Sequence, residues 1–176
     1  MLRPPSPYHL RRMTMDDLTA VVAIDRLSFP TPARPGLYEH EVSENTLAHY
    51  QVLCQDNQII GYAGYWLIGD EVHISTIAVH PEWRGCGLGE LLLLNLLLLA
   101  YAHPANIVTL EVRHANSGAQ QLYHKYQFEV VGRRRRYYRD TGEDALIMTA
   151  PPLDARYHQF LEQKKGLLWR RLSGED

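Results

Sequence analysis

A chain of 176 residues, 45% of them hydrophobic, is expected to form one domain and to bury roughly two-thirds of its unfolded surface. Its formal net charge of −2 gives no general drive toward nucleic acid or an anionic membrane, so any basic partner site must be local. Cys54 and Cys86 lie far apart in sequence, and Cys86 sits inside a glycine turn; this argues against a structural disulfide and for a reducing, cytoplasmic setting.

Residues 1–7, with three prolines and no apolar signal region, read as a flexible lead-in, and Tyr8–Met13 alternates well enough for a first strand. Thr14 with Asp17 three residues on is an N-cap signal for a helix through Leu18, Val21, Val22, Ile24 and Asp25. Pro30, Pro32 and Pro35 break that helix, and the resulting loop from Phe29 to Gly36 is suited to shaping a substrate site. A short helix over Leu37–Leu47 and a strand at Tyr50–Cys54 come next, then a tight turn at Asp56-Asn57. Gln58–Ile68 and Glu71–Val79 are consecutive strands joined across Gly69-Asp70. A helix from Gly87 to His103 ends near Pro104; its Leu91–Ala100 run is much shorter than the ~20 residues of a membrane span and reads as core. A strand follows at Ile107–Val112. Asn116 caps a helix over Ser117–Tyr126, and Phe128–Tyr137 and Asp144–Met148 close the domain as strands around Asp140-Thr141-Gly142. The domain, residues 8–150, is therefore α+β, with a mixed sheet of about seven strands and helices on both faces. Residues 151–176 form a C-terminal extension with helical tendency over Arg156–Leu172.

The most informative stretch is Ile77-Ala78-Val79-His80-Pro81-Glu82-Trp83-Arg84-Gly85-Cys86-Gly87-Leu88-Gly89-Glu90. A strand stops at Pro81, three alternating glycines turn the chain, and a leucine-rich helix begins. Glycines let the backbone approach a ligand closely, and free N–H groups at a helix start favour an anion, most simply a phosphate of a nucleotide-like cofactor. The spacing fits neither the Mg-nucleotide P-loop nor the G-x-G-x-x-G dinucleotide turn. Arg84-x-x-Gly87-x-Gly89 after the strand Ile77-Ala78-Val79 resembles the signature of the GNAT superfamily of N-acetyltransferases. That resemblance implies a mixed, mostly antiparallel sheet, acetyl-CoA as cosubstrate, a pyrophosphate held by Arg84, Gly85, Cys86, Gly87, Leu88, Gly89 and Glu90, and a pantetheine arm along Ile77, Ala78 and Val79.

Alternation in Thr109-Leu110-Glu111-Val112-Arg113 places Glu111 on the face opposite Leu110 and Val112. Alone, this fits a strand carboxylate paired with an arginine as well as a catalytic base. The wider phrase, Leu110-Glu111-Val112-Arg113 with Asn116, Ala119, Leu122, Tyr123 and Phe128, is similar to that of the RimI-type protein N-terminal acetyltransferases within the superfamily. The resemblance implies Glu111 as general base, Tyr123 twelve positions on as general acid, and Asn116 as a contact to the pantetheine region. Tyr123 also lies on the apolar face of its helix, where a purely structural role is an alternative. Phe29, Tyr137 and Tyr138 are candidates to border a peptide groove. The expected acceptor is a protein N-terminal amine, such as the N-terminal alanine of a small-subunit ribosomal protein; acetylation of a small amine or lysine side chain, and non-catalytic acetyl-CoA binding, are the alternatives.

Nine histidines show no H-E-x-x-H or Cys/His ligand spacing, so no metal is expected. Cys86 is expected to line the cofactor turn rather than act as nucleophile. The run Arg133-Arg134-Arg135-Arg136-Tyr137-Tyr138-Arg139 has the composition of a nucleic-acid contact, but reads as an edge strand or protruding hairpin, with docking on the ribosome as an alternative use; direct nucleic-acid binding is not expected. Against the family pattern, Ala33 stands where tryptophan is frequent, Gln127 stands where glycine usually precedes Phe128, and the extension after Pro152 is additional.

Overall fold

The computed structural model describes residues 1–103 and 105–175, so the expected helix stop at Pro104 lies outside the described residues. Seven strands, β1 (Tyr8–Arg12), β2 (Ala48–Gln55), β3 (Gln58–Ile68), β4 (Glu71–Val79), β5 (Ile107–Arg113), β6 (Glu129–Tyr138) and β7 (Glu143–Thr149), form one sheet in the order β1-β2-β3-β4-β5-β7-β6. Only β4 and β5 pair in parallel, as the helical crossover between them requires; every other neighbouring pair is antiparallel. Five α-helices complete the fold: α1 (Leu18–Ser28), α2 (Leu37–Ser43), α3 (Leu88–Ala102), α4 (Ser117–Lys125) and α5 (Ala155–Ser173).

Alternation along the strands divides the core into two layers. Val52, Cys54 and Tyr62 pack under α1 and α2 with Val21, Ile24 and Tyr38, whereas Leu53, Ala63, Val72 and Ile74 pack under α3. In α3, Leu88, Leu91 to Leu94, Leu96 and Leu97 are all at most 1% exposed. A helix apolar on every side needs cover on every side. The sheet supplies one cover and the C-terminal extension the other: Tyr157, Leu161 and Leu168 of α5 join the same cluster, and Tyr157 donates its hydroxyl to the Tyr126 carbonyl at 2.7 Å. Each leucine so enclosed stabilises the fold by roughly 1.5–3 kcal/mol.

Two features differ from the sequence expectation, and a third explains a departure from the family pattern. α2 stops at Ser43 rather than Leu47, because Asn45 turns the chain by donating to Glu41 and accepting from the Leu47 N–H. The lead-in is docked: Leu2 packs against the core and donates its N–H to the buried Asn95 side chain at 2.9 Å, and the Pro7 carbonyl accepts from Asp56. Gln127 adopts φ 62°, the left-handed conformation that glycine takes at no steric cost, which gives a physical reason for glycine being usual there.

The sheet opens where the crossover enters it. Parallel pairing of β4 with β5 ends at Ile74 and Leu110, yet β4 runs on to Val79 and β5 to Arg113. A register shift between Gly64 and Tyr65 of β3, opposite Thr76 and Ile74, places a bulge in β4 at Ser75, the point of divergence. The two strands splay and leave a cleft between them.

Candidate active site

The cleft has a volume of about 1130 Å³ and is lined by both splayed strands, the proline loop after α1, the start of α4 and the β6–β7 hairpin. It brings together Glu111, Tyr123, Asn116, Arg84, Phe29, Tyr137, Tyr138 and the strand Ile77-Ala78-Val79, which the sequence presents as separate candidates. The proline loop is fixed by the buried carboxylate of Asp25, which accepts from Tyr38 at 2.5 Å, Tyr62 at 2.8 Å and the Ala33 N–H at 2.7 Å. Those bonds tie Phe29 to Ala33 to the sheet.

Glu111 lies between two basic side chains. His73 Nε2 lies 3.0 Å from one carboxylate oxygen and Arg134 Nε 3.1 Å from the other, and the Glu111 side chain is 11% exposed. The His73 ring stacks on Trp66, whose indole donates to Glu41 at 2.6 Å, so the imidazole is itself fixed. Neither His73 nor Arg134 stands out in the sequence as a partner of Glu111. The parallel register, His73 opposite Thr109, places the histidine beside the glutamate, and that pairing is a tertiary fact.

Tyr123 faces the same cleft from α4. Burial, with a smaller push from neighbouring Tyr138, moves its phenol up to about 12, so it holds its proton throughout the neutral range. Tyr138 is likewise pushed up to about 12 by burial, against the pull of Arg113, whose guanidinium lies 3.9 Å from the centre of its ring. Arg113 also pairs with Asp140 at 2.7 Å and Glu143 at 3.3 Å, anchoring the β6–β7 hairpin to β5. Thr31 of the proline loop donates to Asp140 across the cleft mouth at 2.5 Å. The arginine run occupies an edge strand, as expected, and divides its contacts: Arg133 pairs with Asp144 at 2.5 Å, whereas Arg134 reaches Glu111.

At the other end of the cleft, Gly85 and Gly87 take φ of 81° and 84°, the left-handed conformation that glycine favours. Among the described residues, the N–H groups of Gly85 to Glu90 donate to no backbone or side-chain acceptor, leaving a row of open donors at the start of α3. Arg84 braces the turn, donating from Nε to the Val79 carbonyl at 3.1 Å and from Nη2 to Ser28 at 3.2 Å. Cys86 is exposed and donates its thiol to the Arg84 carbonyl at 3.7 Å. Asn116 uses its side-chain oxygen to cap α4, accepting from Ala119 at 3.1 Å. Leu88 and Glu90 have buried side chains, so these two residues offer the turn only their backbone N–H groups. The Glu90 carboxylate points into a cluster with Lys125, Tyr126 and Arg171, a role the turn motif does not reveal. Among the described residues no group of three or more His, Cys, Asp or Glu is placed to hold a metal, and no helix is long and apolar enough to cross a membrane.

Comparison with known proteins agrees with this geometry. The model of the acetyltransferase (GNAT) family matches residues 17–128, more than half of the chain. A putative [ribosomal protein bS18]-alanine N-acetyltransferase of Bacillus subtilis is 41% identical over 139 residues, covering 79% of this chain and 92% of its own. An N-alpha-acetyltransferase of Sulfurisphaera tokodaii is 31% identical over 157 residues, covering 82% and 93%. The crystal structure of the ribosomal-protein-S18-alanine N-acetyltransferase from Escherichia coli superposes with a TM-score of 0.76 at 27% identity, covering 84% of this chain and 94% of that one. With its cofactor-type turn, splayed strands and seven-stranded sheet, the chain belongs to the acetyltransferase (GNAT) family and is an N-acetyltransferase.

Proposed function

We propose that the protein transfers the acetyl group of acetyl-CoA to the α-amine of a protein N-terminus, with a ribosomal protein's N-terminal alanine as the leading acceptor. The observation that carries this reading is Glu111, held by His73 and Arg134 in the cleft between β4 and β5, with the Tyr123 phenol lining the same cleft. The relatives named for alanine N-acetylation support the choice of acceptor.

The open donors of Gly85 to Glu90 suit a pyrophosphate, and the left-handed glycines let it come close. When bound there, acetyl-CoA supplies an activated acyl group as a thioester. An N-terminal amine has a pKa of about 7.7–8.0 and must lose a proton to become a nucleophile. Glu111 accepts that proton, directly or through water, while His73 keeps the carboxylate aimed. As the amine attacks the thioester carbonyl, backbone N–H groups near Ala78 and Val79 stabilise the charge developing on oxygen. The carbon–sulfur bond breaks, and Tyr123 gives its proton to the departing sulfur. No covalent bond to the enzyme is needed. Phe29, Tyr137 and Tyr138 border the acceptor's path.

The test uses acetyl-CoA and two peptides of equal sequence, one with a free N-terminal alanine and one N-terminally blocked with an internal lysine. Acetylation of the free α-amine alone, lost in Glu111→Gln, is the expected result. Modification of the lysine would overturn the acceptor assignment, and undiminished turnover by Glu111→Gln would overturn the base.

A further inference from the structure

The C-terminal extension reaches the glycine turn. A Cβ built on Gly87 would lie 2.7 Å from Arg171 Nη2 and 3.3 Å from its Cζ, so the guanidinium from the last turn of α5 sits flush against the backbone of the turn. Gly87 suits the turn twice: its φ of 84° is the left-handed conformation that glycine favours, and a side chain there would push the Arg171 guanidinium aside.

Arg171 is held there by the buried Glu90 carboxylate, to which it donates at 2.5 Å. Lys125 also reaches that carboxylate at 2.7 Å, and Tyr126 donates its hydroxyl at 3.0 Å. Burial alone would raise the Glu90 carboxyl, but hydrogen bonds from Lys125, Arg171 and Tyr126 outweigh it and keep the group below its usual range, hence ionised. Two cations facing one carboxylate leave an excess positive charge beside the row of open N–H donors. The Arg171 side chain remains 42% exposed, so its other nitrogens have access to solvent and to a ligand. Arg84, the arginine of the motif itself, already uses Nε on the Val79 carbonyl and Nη2 on Ser28.

We propose that Arg171 is a further binding residue of the acetyl-CoA site, contributing a guanidinium to the phosphates seated on the Gly85–Glu90 turn, so that the extension is part of the cosubstrate site as well as the cover of α3. This inference rests on the acetyl-CoA reading above. Glu90 acts as the positioning residue that aims the guanidinium. A planar fork of donors suits phosphate oxygens better than the point charge of lysine.

The experiment measures dissociation constants for CoA and for pantetheine, which lacks the phosphates, by calorimetry at two salt concentrations, with wild type, Arg171→Ala and Arg171→Lys. The expected result is CoA binding weakened about tenfold in Arg171→Ala, the size of one partly exposed charge-assisted hydrogen bond. Pantetheine binding stays unchanged, and Arg171→Lys recovers part of the loss. Wild-type CoA binding weakens with salt more steeply than that of Arg171→Ala. Equal weakening of CoA and pantetheine, or no weakening of either, overturns the proposal by reducing Arg171 to a structural anchor. If Arg171→Ala does not fold, the folded Arg171→Lys variant and the wild-type salt dependence decide between these outcomes. Wild type that binds CoA through Arg171 yet acetylates no peptide would leave this proposal standing and remove only the catalytic reading. Wild type that binds no CoA would overturn both.

Discussion

The two ends of the cleft are built from different material. At the Glu111 end the working parts are side chains, Glu111, His73, Arg134 and Tyr123, brought in from β5, β4, β6 and α4. At the glycine end they are backbone N–H groups of one continuous stretch, shaped by left-handed glycines. On the proposed function, the Glu111 end depends on the chemistry of single side chains, which isosteric substitution probes, whereas the glycine end depends first on backbone conformation, which substitution at Gly87 probes.

Glu111→Gln breaks the first end most severely. It keeps size and shape but removes the proton acceptor, and kcat/KM should fall between about 100- and 10,000-fold while acetyl-CoA binding is retained. Gly87→Ala is the corresponding break at the other end. A side chain there meets a left-handed backbone costing roughly 1–2 kcal/mol and collides with Arg171, so the KM for acetyl-CoA should rise about tenfold or more with the peptide KM unchanged. An unchanged KM for acetyl-CoA would show that the turn does not bind it.

Tyr123→Phe sharpens the contrast further, because it leaves the helix packing in place and takes away only the proton. A thiol of pKa about 8.5 is a good leaving group without help, so a loss of about tenfold in kcat is expected. The pH profile carries a sign. With its folded pKa pushed up to about 12, Tyr123 stays protonated below that point, so activity should climb through pH 8 as the amine deprotonates and show no phenol-dependent fall until well above pH 10. A descending limb near pH 9–10 that disappears in Tyr123→Phe would contradict the raised pKa of the phenol. The smallest effect belongs to Cys86→Ala. The thiol is exposed and bonds only to a carbonyl within its own turn, so kcat and both KM values should stay within about twofold.

The same contrast explains what could be read in the sequence. The glycine turn is local, and its spacing alone locates the strand end, the helix start and the open donors between them. Strand alternation correctly put Glu111 on the face opposite Leu110, and Asn116 announced the start of α4. His73 carried no comparable signal among nine histidines, because its meaning comes from a parallel register that joins residues far apart in the chain. Arg134 was visible only as one of a run; its register opposite Ala145, two residues on from Gly132 opposite Ile147, puts it on the face of Glu111, and that register is a tertiary fact. Glu90 belonged to the turn motif by position, yet as the third residue of α3 it turns its carboxylate toward Lys125 and Arg171. The extension showed helical tendency and the leucine run read as core, but nothing in the sequence linked the two.

The parallel seam between β4 and β5 is only four residue pairs long, and it is the sole ladder joining the strands of residues 8–79 to those of residues 107–149 among the described residues. On the proposed function, a ligand lying in the cleft touches β4 and β5 at once and clasps the two strands beyond the end of their ladder. By linkage, a cosubstrate at 100 times its dissociation constant adds about 2.7 kcal/mol to whatever opening it opposes. The amides of Ile74 and Leu110 should therefore exchange with solvent far more slowly once the cleft is filled, which makes the loading of the enzyme readable from the mechanics of its sheet.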